Sequence, residues 1–415
     1  MSQTLPCLAL PALLLAVTAQ AAPAPPTVQP SHPSTETPTF RDVTTTHVPS
    51  APDLHGLDAV FLDADGDGHL DVAVAVEGGA NRLYRNDGTG RLTHIKDAFG
   101  TESGDYEHVR SADFNRDGHP DLLFIAEDTE QHRLFLGDGK GGFTPADDRL
   151  PATSQANGVA VGDVNGDGLP DIVIGNTTEG KQGTAQPFLW LNDAQRPGHF
   201  IDATASHLPV LDVQAQGITL ADLDGDGHLD MVIASQSPPN RLLLNDGRGR
   251  FRDATAQLGD QVPLETREVH AFDADGDGHL DLVFFNLTSN NQQWDKDPQT
   301  RLLLNDGQAN FRDATEGRLP AHRFSSWGGT VVDFNRDGHP DLLVSAIDVP
   351  GFKPLQVRAW QNDGHGHFID VTEVVVPAST MGRSWSMAQG DLDGDGTVDV
   401  LIGGWGSQSR LLLGR

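Results

Sequence analysis

An acidic nonapeptide of the pattern Asp-x-Asp/Asn-x-Asp-Gly-x-x-Asp occurs seven times, and a chain that repeats one phrase so regularly is built from repeated units rather than around a single irregular core. The copies begin at Asp63, Asp113, Asp163, Asp222, Asp273, Asp333 and Asp391, at intervals of 50, 50, 59, 51, 60 and 58 residues. That interval fits one supersecondary unit per copy, with loops absorbing the variation.

Around each copy, apolar runs alternate with turn signals. The nonapeptide is followed by β-branched and aromatic residues, as in Val72-Ala-Val-Ala-Val76, Ile172-Val-Ile174 and Leu282-Val-Phe-Phe285, which suit strands buried on both faces. Before it lie small residues, Gly217-Ile-Thr-Leu-Ala221 and Gly328-Gly-Thr-Val-Val332, as expected where strands converge on a crowded axis. An Arg-Leu-Leu-Leu-Asn-Asp-Gly phrase, seen at 241–247 and 301–307, supplies a third strand and its turn, and Phe-x-Asp-x-Thr follows as a fourth. The expected fold is all-β: a seven-bladed β-propeller with four antiparallel strands per blade. The seventh unit has Arg410-Leu-Leu-Leu413 without a following Phe-x-Asp-x-Thr, whereas an orphan copy, Phe40-Arg-Asp42-Val-Thr44, precedes the first unit. An N-terminal strand completing the last blade would close the ring and remove its free edges.

Positions 1, 3 and 5 of each nonapeptide bring carboxylate or amide oxygens around one centre, position 7 offers a backbone carbonyl, and position 9 adds a carboxylate. Oxygen ligands in that number and flexibility describe calcium, up to seven Ca²⁺ ions in all. The candidate ligands are Asp63, Asp65, Asp67, His69 and Asp71 in the first loop, and Asp113, Asn115, Asp117, His119 and Asp121 in the second. The third has Asp163, Asn165, Asp167, Leu169 and Asp171; the fourth has Asp222, Asp224, Asp226, His228 and Asp230. The fifth has Asp273, Asp275, Asp277, His279 and Asp281, and the sixth has Asp333, Asn335, Asp337, His339 and Asp341. The seventh has Asp391, Asp393, Asp395, Thr397 and Asp399. Because calcium selects oxygen, the position-7 histidines are expected to contribute their carbonyls, with the rings in solvent. An EF-hand would need a bidentate Glu at position 12, where this chain has Val74, Phe124, Ile174, Ile233, Phe284, Val344 and Ile402. The loops are instead expected to be hairpin connections between the first two strands of each unit.

Composition supports bound cations. The chain carries 59 acidic against 28 basic residues, a formal charge of −31, so nucleic acid and anionic membrane surfaces are excluded as partners by long-range repulsion. Hydrophobic residues make up 37%, too few for a bundle of membrane spans. The apolar run 8–17 and the Ala19-Gln20-Ala21 that follows it read as a signal peptide over 1–21. A Pro/Thr/Ser-rich linker follows over 22–39, and the propeller occupies 40–415. The expected location is secreted or periplasmic, and the expected state is a monomer. The lone cysteine, Cys7, falls within the leader, so the mature chain would have no disulfide and would need another staple.

The nonapeptide and the linked Asn-Asp-Gly-x-Gly-x-Phe-x-Asp-x-Thr, clearest at 245–255, resemble the FG-GAP and VCBS-type repeats of calcium-binding β-propellers, the fold of integrin α-chain heads. The resemblance covers 40–415 and departs locally, with Leu92 and His94 replacing Phe and Asp in unit one, Pro145 replacing the Asp in unit two, and Ala194 replacing the turn Gly in unit three. It implies metal loops on one rim and partner binding on the other.

Six residues before each first ligand stand Leu57, Glu107, Asn157, Gln216, Arg267, Trp327 and Trp385, with His55, His108, His270, Arg323 and Arg383 nearby. Glu107, His108, Arg267, His270, Trp327, Arg383 and Trp385 are therefore candidates for a ligand site at the mouth of a central channel, where indole faces and polar groups would suit a glycan or an extracellular protein. The alternatives are a calcium-stabilised polysaccharide lyase or hydrolase using Glu107 with His108 or Glu268 with His270, and a purely structural surface module. No nucleophile elbow or phosphate loop supports an enzyme, so a binding module is the preferred expectation.

Overall fold

The structure, a computed structural model, describes residues 39–178, 184–289, 299–322, 324–348, 353–382 and 384–415. The expected leader and nearly all of the linker lie outside these residues.

The described chain is all-β and organised in four-stranded antiparallel sets. The first runs through Gly56–Leu62, Asp71–Gly79, Arg82–Asn86 and Leu92–Ile95. In the fourth, Ala215–Ala221, Asp230–Ser235, Arg241–Asn245 and Phe251–Asp253 pair in sequence order. The departures from the repeat pattern do not abolish the outer strands, since Leu92–Ile95 and Phe143–Pro145 both pair with their neighbours. The last set joins the two ends of the described chain. Arg41–Asp42 lies antiparallel to Arg410–Leu413, with Arg41 opposite Leu413 and Asp42 opposite Leu412.

The acidic loops are the hairpins between first and second strands. Position 9 is always the first residue of the second strand and pairs with the last residue of the first, as Leu62 with Asp71, Ala221 with Asp230, and Gly390 with Asp399. A tight turn needs left-handed backbone, and the position-6 glycines from Gly68 to Gly396 all have φ between 81° and 88°.

Second strands such as Asp121–Ala126, Asp171–Asn176 and Asp230–Ser235 are buried at every position, as their unbroken apolar runs require. Each large apolar cluster joins one sheet to the next. Val173 and Leu189 of the third set pack with Met231, Ile233 and Leu243 of the fourth, and Val72, Val74 and Tyr84 of the first pack with Leu401, Leu411 and Leu413 of the last. First strands of successive sets also lie side by side, including Gly56–Leu62 against Ser384–Gly390.

The Phe-x-Asp-x-Thr phrase forms a shorter strand than expected. Only Phe-x-Asp is extended, as in Phe251–Asp253 and Phe311–Asp313. The Asp then accepts the Thr N–H, as in Thr255 N to Asp253 Oδ1 at 2.8 Å, and turns the chain into a helical turn. The Thr hydroxyl in turn accepts an N–H from the third strand, Leu189 N to Thr204 Oγ1 at 3.0 Å and Leu411 N to Thr44 Oγ1 at 3.0 Å.

Candidate functional site

Each acidic loop is organised by its own backbone. In the first, Asp63 accepts the N–H groups of Gly66 (2.8 Å) and Gly68 (3.0 Å), and Asp65 accepts that of Asp67 (3.2 Å). Asp67 accepts the N–H of His69 at 2.9 Å, a bond repeated in every loop through to Thr397 N on Asp395 at 2.8 Å. The position-9 carboxylate holds the base of the hairpin, with Asp71 taking Ala64 N (3.1 Å) and Asn86 N (2.8 Å). Oxygens of positions 1, 3 and 9 then lie within 4.8 Å of one another in four loops, the sets being Asp63/Asp65/Asp71, Asp222/Asp224/Asp230, Asp273/Asp275/Asp281 and Asp391/Asp393/Asp399. Position 5 stands outside these sets. In the loops with Asn at position 3 the amide bonds to it instead, Asn115 Nδ2 donating to Asp117 Oδ2 at 2.8 Å and Asn335 Nδ2 to Asp337 Oδ2 at 2.8 Å.

Packing carboxylates so closely carries an electrostatic cost that a cation would relieve. Burial, with the neighbouring loop carboxylates adding, pushes Asp121, Asp230, Asp281 and Asp399 up to about 6 and Asp171 and Asp341 up to about 7, against the opposing pull of the backbone N–H groups. Asp275 Oδ1 is buried and accepts no hydrogen bond among the described residues. An all-oxygen donor set with clustered carboxylates and an orphaned carboxylate oxygen fits a hard divalent cation. The position-7 rings are exposed, but they are not free in solvent. His228 lies on Gly247 of its own Asn-Asp-Gly turn, where a Cβ would come 2.4 Å from Nε2, and His69 lies on Gly88 in the same way.

A second polar region sits between the first strands. Asp58 Oδ2 accepts Nδ1 of His108 at 3.0 Å and Nη1 of Arg110 at 2.6 Å, joining the first set to the second. Glu268 accepts the N–H of Gly329 (3.2 Å) and the Ser386 hydroxyl, joining the fifth set to the sixth and seventh, with His270 Nε2 at 3.4 Å. Asp58, His108, Arg110, Glu268, His270 and Ser386 line a cavity of about 220 Å³. Burial alone would raise Asp58, but the Arg110 guanidinium and the His108 ring hold it far below the usual carboxylate range. Burial alone would lower His108, yet its bond to Asp58 keeps it above its ordinary value.

Of the ligand candidates, His108 and His270 meet in this cavity. Glu107 is half-buried by exposure yet deep among protein atoms, and burial pushes it up to about 7, with the charges of His108 and Arg267 opposing. Oxygens of Asp105, Glu107 and Glu127 lie within 4.8 Å of one another. Arg267 is engaged by Glu265 at 2.6 Å. Trp327 and Trp385 stack on each other, with ring centroids 4.0 Å apart and planes 27° apart; Trp327 is buried and Trp385 half-buried. Arg323 and Arg383 lie outside the described residues.

Sequence reasoning missed Asp58, Arg110, Ser386, Glu77 and Trp405. Trp405 Nε1 donates to Glu77 Oε2 at 2.6 Å, His55 Nδ1 meets the same oxygen at 3.1 Å, and the Trp405 ring lies tilted beside Trp327, centroids 6.3 Å apart. The signal was available: Glu77, Glu127 and Trp405 all stand 14 residues after the first Asp of their loop.

Four-stranded antiparallel sheets, each with an acidic oxygen-rich hairpin between its first two strands, define a class of acidic-loop repeat proteins. The FG-GAP-like repeat family profile matches residues 63–124, 122–174, 222–284, 288–344 and 350–402, and the chain belongs to that family. It is 31% identical to cartilage acidic protein 1 of Xenopus tropicalis over 198 residues, covering 45% of this chain and 28% of that protein. To cartilage acidic protein 1 of Mus musculus it is 23% identical over 406 residues, covering 88% of this chain and 60% of that protein. A T-cell immunomodulatory protein homolog of Plasmodium yoelii yoelii is 30% identical over 279 residues, 62% of this chain and 36% of that protein. The chain thus spans less than two thirds of the length of each of these relatives. No helix among the described residues is long and apolar enough to cross a membrane.

Proposed function

We propose that this chain is an exported recognition module, a seven-bladed β-propeller closed by Arg41–Asp42 and stiffened by calcium in the seven acidic loops, which binds a glycan or an extracellular protein on the rim opposite those loops. Three observations support the closed ring: the pairing of Arg41 with Leu413, the apolar cluster shared by the first and last sets, and the first strands packed side by side. Calcium is supported by the oxygen-only donor sets and by the family, whose repeats often bind it.

The observation that carries the recognition reading is the Trp327–Trp385 stack with Trp405 beside it, Trp405 bonded to Glu77 and Glu77 paired with Asp105 of the Asp105/Glu107/Glu127 cluster. An indole face for the apolar side of a ring and carboxylates for its hydroxyls form a sugar-binding combination. The test is a printed glycan array, with a panel of extracellular matrix proteins beside it, probed in calcium with wild type and Trp385→Ala. Binding that is lost in the variant, with its melting temperature kept, supports the reading. Equal binding by both proteins, or no binding by wild type, contradicts it. One observation favours a polysaccharide lyase or hydrolase, namely that a Glu107 carboxyl pushed to about 7 suits a general acid. Turnover of an array hit, abolished by Glu107→Gln, would place the chain there.

A further inference from the structure

Two acidic loops are spelled identically, Asp-Phe-Asn-Arg-Asp-Gly-His-Pro-Asp at 113–121 and at 333–341. At position 4 of both, an arginine adopts left-handed backbone, with φ 63° at Arg116 and 59° at Arg336. The other five loops have glycine there, at φ between 74° and 78°. A residue with a Cβ is disfavoured in that conformation, so its occurrence twice in the same register points to what the side chain reaches.

Both arginines reach the loop of the following unit. Arg116 Nη2 donates to the carbonyl of Gly168 at 3.3 Å, and a Cβ on Gly168 would stand 3.1 Å from that nitrogen. Arg336 shares a small pocket with Gly396 and Thr397, and its charge acts on Asp395. The Arg116 contact falls on position 6 of the next loop, and Arg336 lies near positions 5 to 7 of its own next loop. Arg85, paired with Asp65, and Arg318, 3.9 Å from Asp275, put positive charge on the first and fifth loops from outside the nonapeptides, without left-handed backbone.

We propose that Arg116 and Arg336 are tethered counter-charges that weaken divalent-cation binding in the next loop around, at 163–171 and 391–399 respectively. The inference rests on the calcium reading above. A guanidinium held against the loop repels an incoming dication and partly neutralises the loop's negative charge while it is empty, so it raises the free calcium at which that loop fills. Both side chains are exposed, so screening keeps the effect modest.

The experiment equilibrates crystals of wild type, Arg116→Gly and Arg336→Gly at graded free calcium and reads each loop's occupancy by anomalous scattering. In Arg116→Gly the filling midpoint at 163–171 is expected to fall about threefold while the other loops hold, and in Arg336→Gly the same is expected at 391–399. Glycine suits the backbone at both positions, so the metal-free variants are expected to melt no lower than wild type. Calcium that fills the loops with unmoved midpoints in the variants overturns this inference alone. Wild-type loops that take up no calcium at any concentration overturn the calcium reading as well.

Discussion

Asn245 clasps two acidic loops at once: its Nδ2 donates to the carbonyl of Val164, 81 positions earlier in the preceding unit, at 2.8 Å, and to that of Leu229 in its own loop at 3.0 Å. Its Oδ1 meanwhile accepts the N–H groups of Gly247 (3.2 Å) and Gly249 (3.1 Å) in the turn that follows. Asn86, Asn192, Asn305 and Asn362 make the same reach, to Leu392, Phe114, Leu223 and Ala274. Gly137 and Gly414 take this place in the second and last sets, so the loops there are not tied in this way to those before them. One amide therefore couples a loop to the next sheet.

Removing that amide strands buried backbone groups on both sides of a sheet boundary. Asn245→Ala is expected to cost about 2–4 kcal/mol of unfolding free energy, read from the urea midpoint in calcium. A change below about 0.5 kcal/mol would show that the clasp is incidental.

Asn115 tests what the amide does at position 3. Asn115→Asp loses the bond to Asp117 and adds a like charge, so the chelated protein should be destabilised by about 1 kcal/mol. The added carboxylate should also tighten calcium binding at 113–121. Calorimetry and melting together check both signs, and a variant that gains metal-free stability would contradict the argument.

The position-9 carboxyls set a pH dependence. In the folded chain six of them are raised to about 6 or about 7, well above an exposed aspartate. A carboxyl raised by folding opposes folding when ionised, and that penalty disappears as the pH falls through its folded value. The chelated chain should therefore melt higher near about pH 5 than near about pH 8. With calcium bound the order should reverse, because protons compete with the ion for the same oxygens. His132 opposes the first trend: burial lowers it to about 4, so its contribution is lost as the pH falls below the ordinary histidine value. His47 and His94, which burial also lowers, act the same way, whereas Glu107, raised to about 7, sides with the six carboxyls. Thermal melts across that range with and without chelator check the prediction, and a chelated chain that melts highest at the alkaline end would contradict it.

Much of the architecture is legible because it recurs locally. Val72-Ala-Val-Ala-Val76 and Arg241-Leu-Leu-Leu-Asn245 announce buried strands, and each hairpin begins and ends where the nonapeptide does. What escaped is what depends on partners far along the chain. The Asn of Asn-Asp-Gly reads as turn chemistry, and only three-dimensional proximity shows Asn245 at Val164. Asp58 and Arg110 look like ordinary alternation along first strands, yet they face each other because neighbouring strands bring residues 52 positions apart together. Trp327 and Trp385 stand at matching positions before their loops in the sequence, but their stacking on each other, which buries Trp327, was not legible there. Trp405 follows its loop, 14 residues after Asp391, so the residues that precede the nonapeptides give no pointer to it.

The most direct measurement follows calcium uptake and thermal unfolding together, starting from chelated full-length chain. The expected result is saturable uptake approaching seven ions per chain, with the melting transition rising as they bind. Each site adds about 2.7 kcal/mol when free calcium is about a hundredfold above its dissociation constant. A chelated chain that melts where the untreated chain does and takes up no stoichiometric calcium would contradict the account.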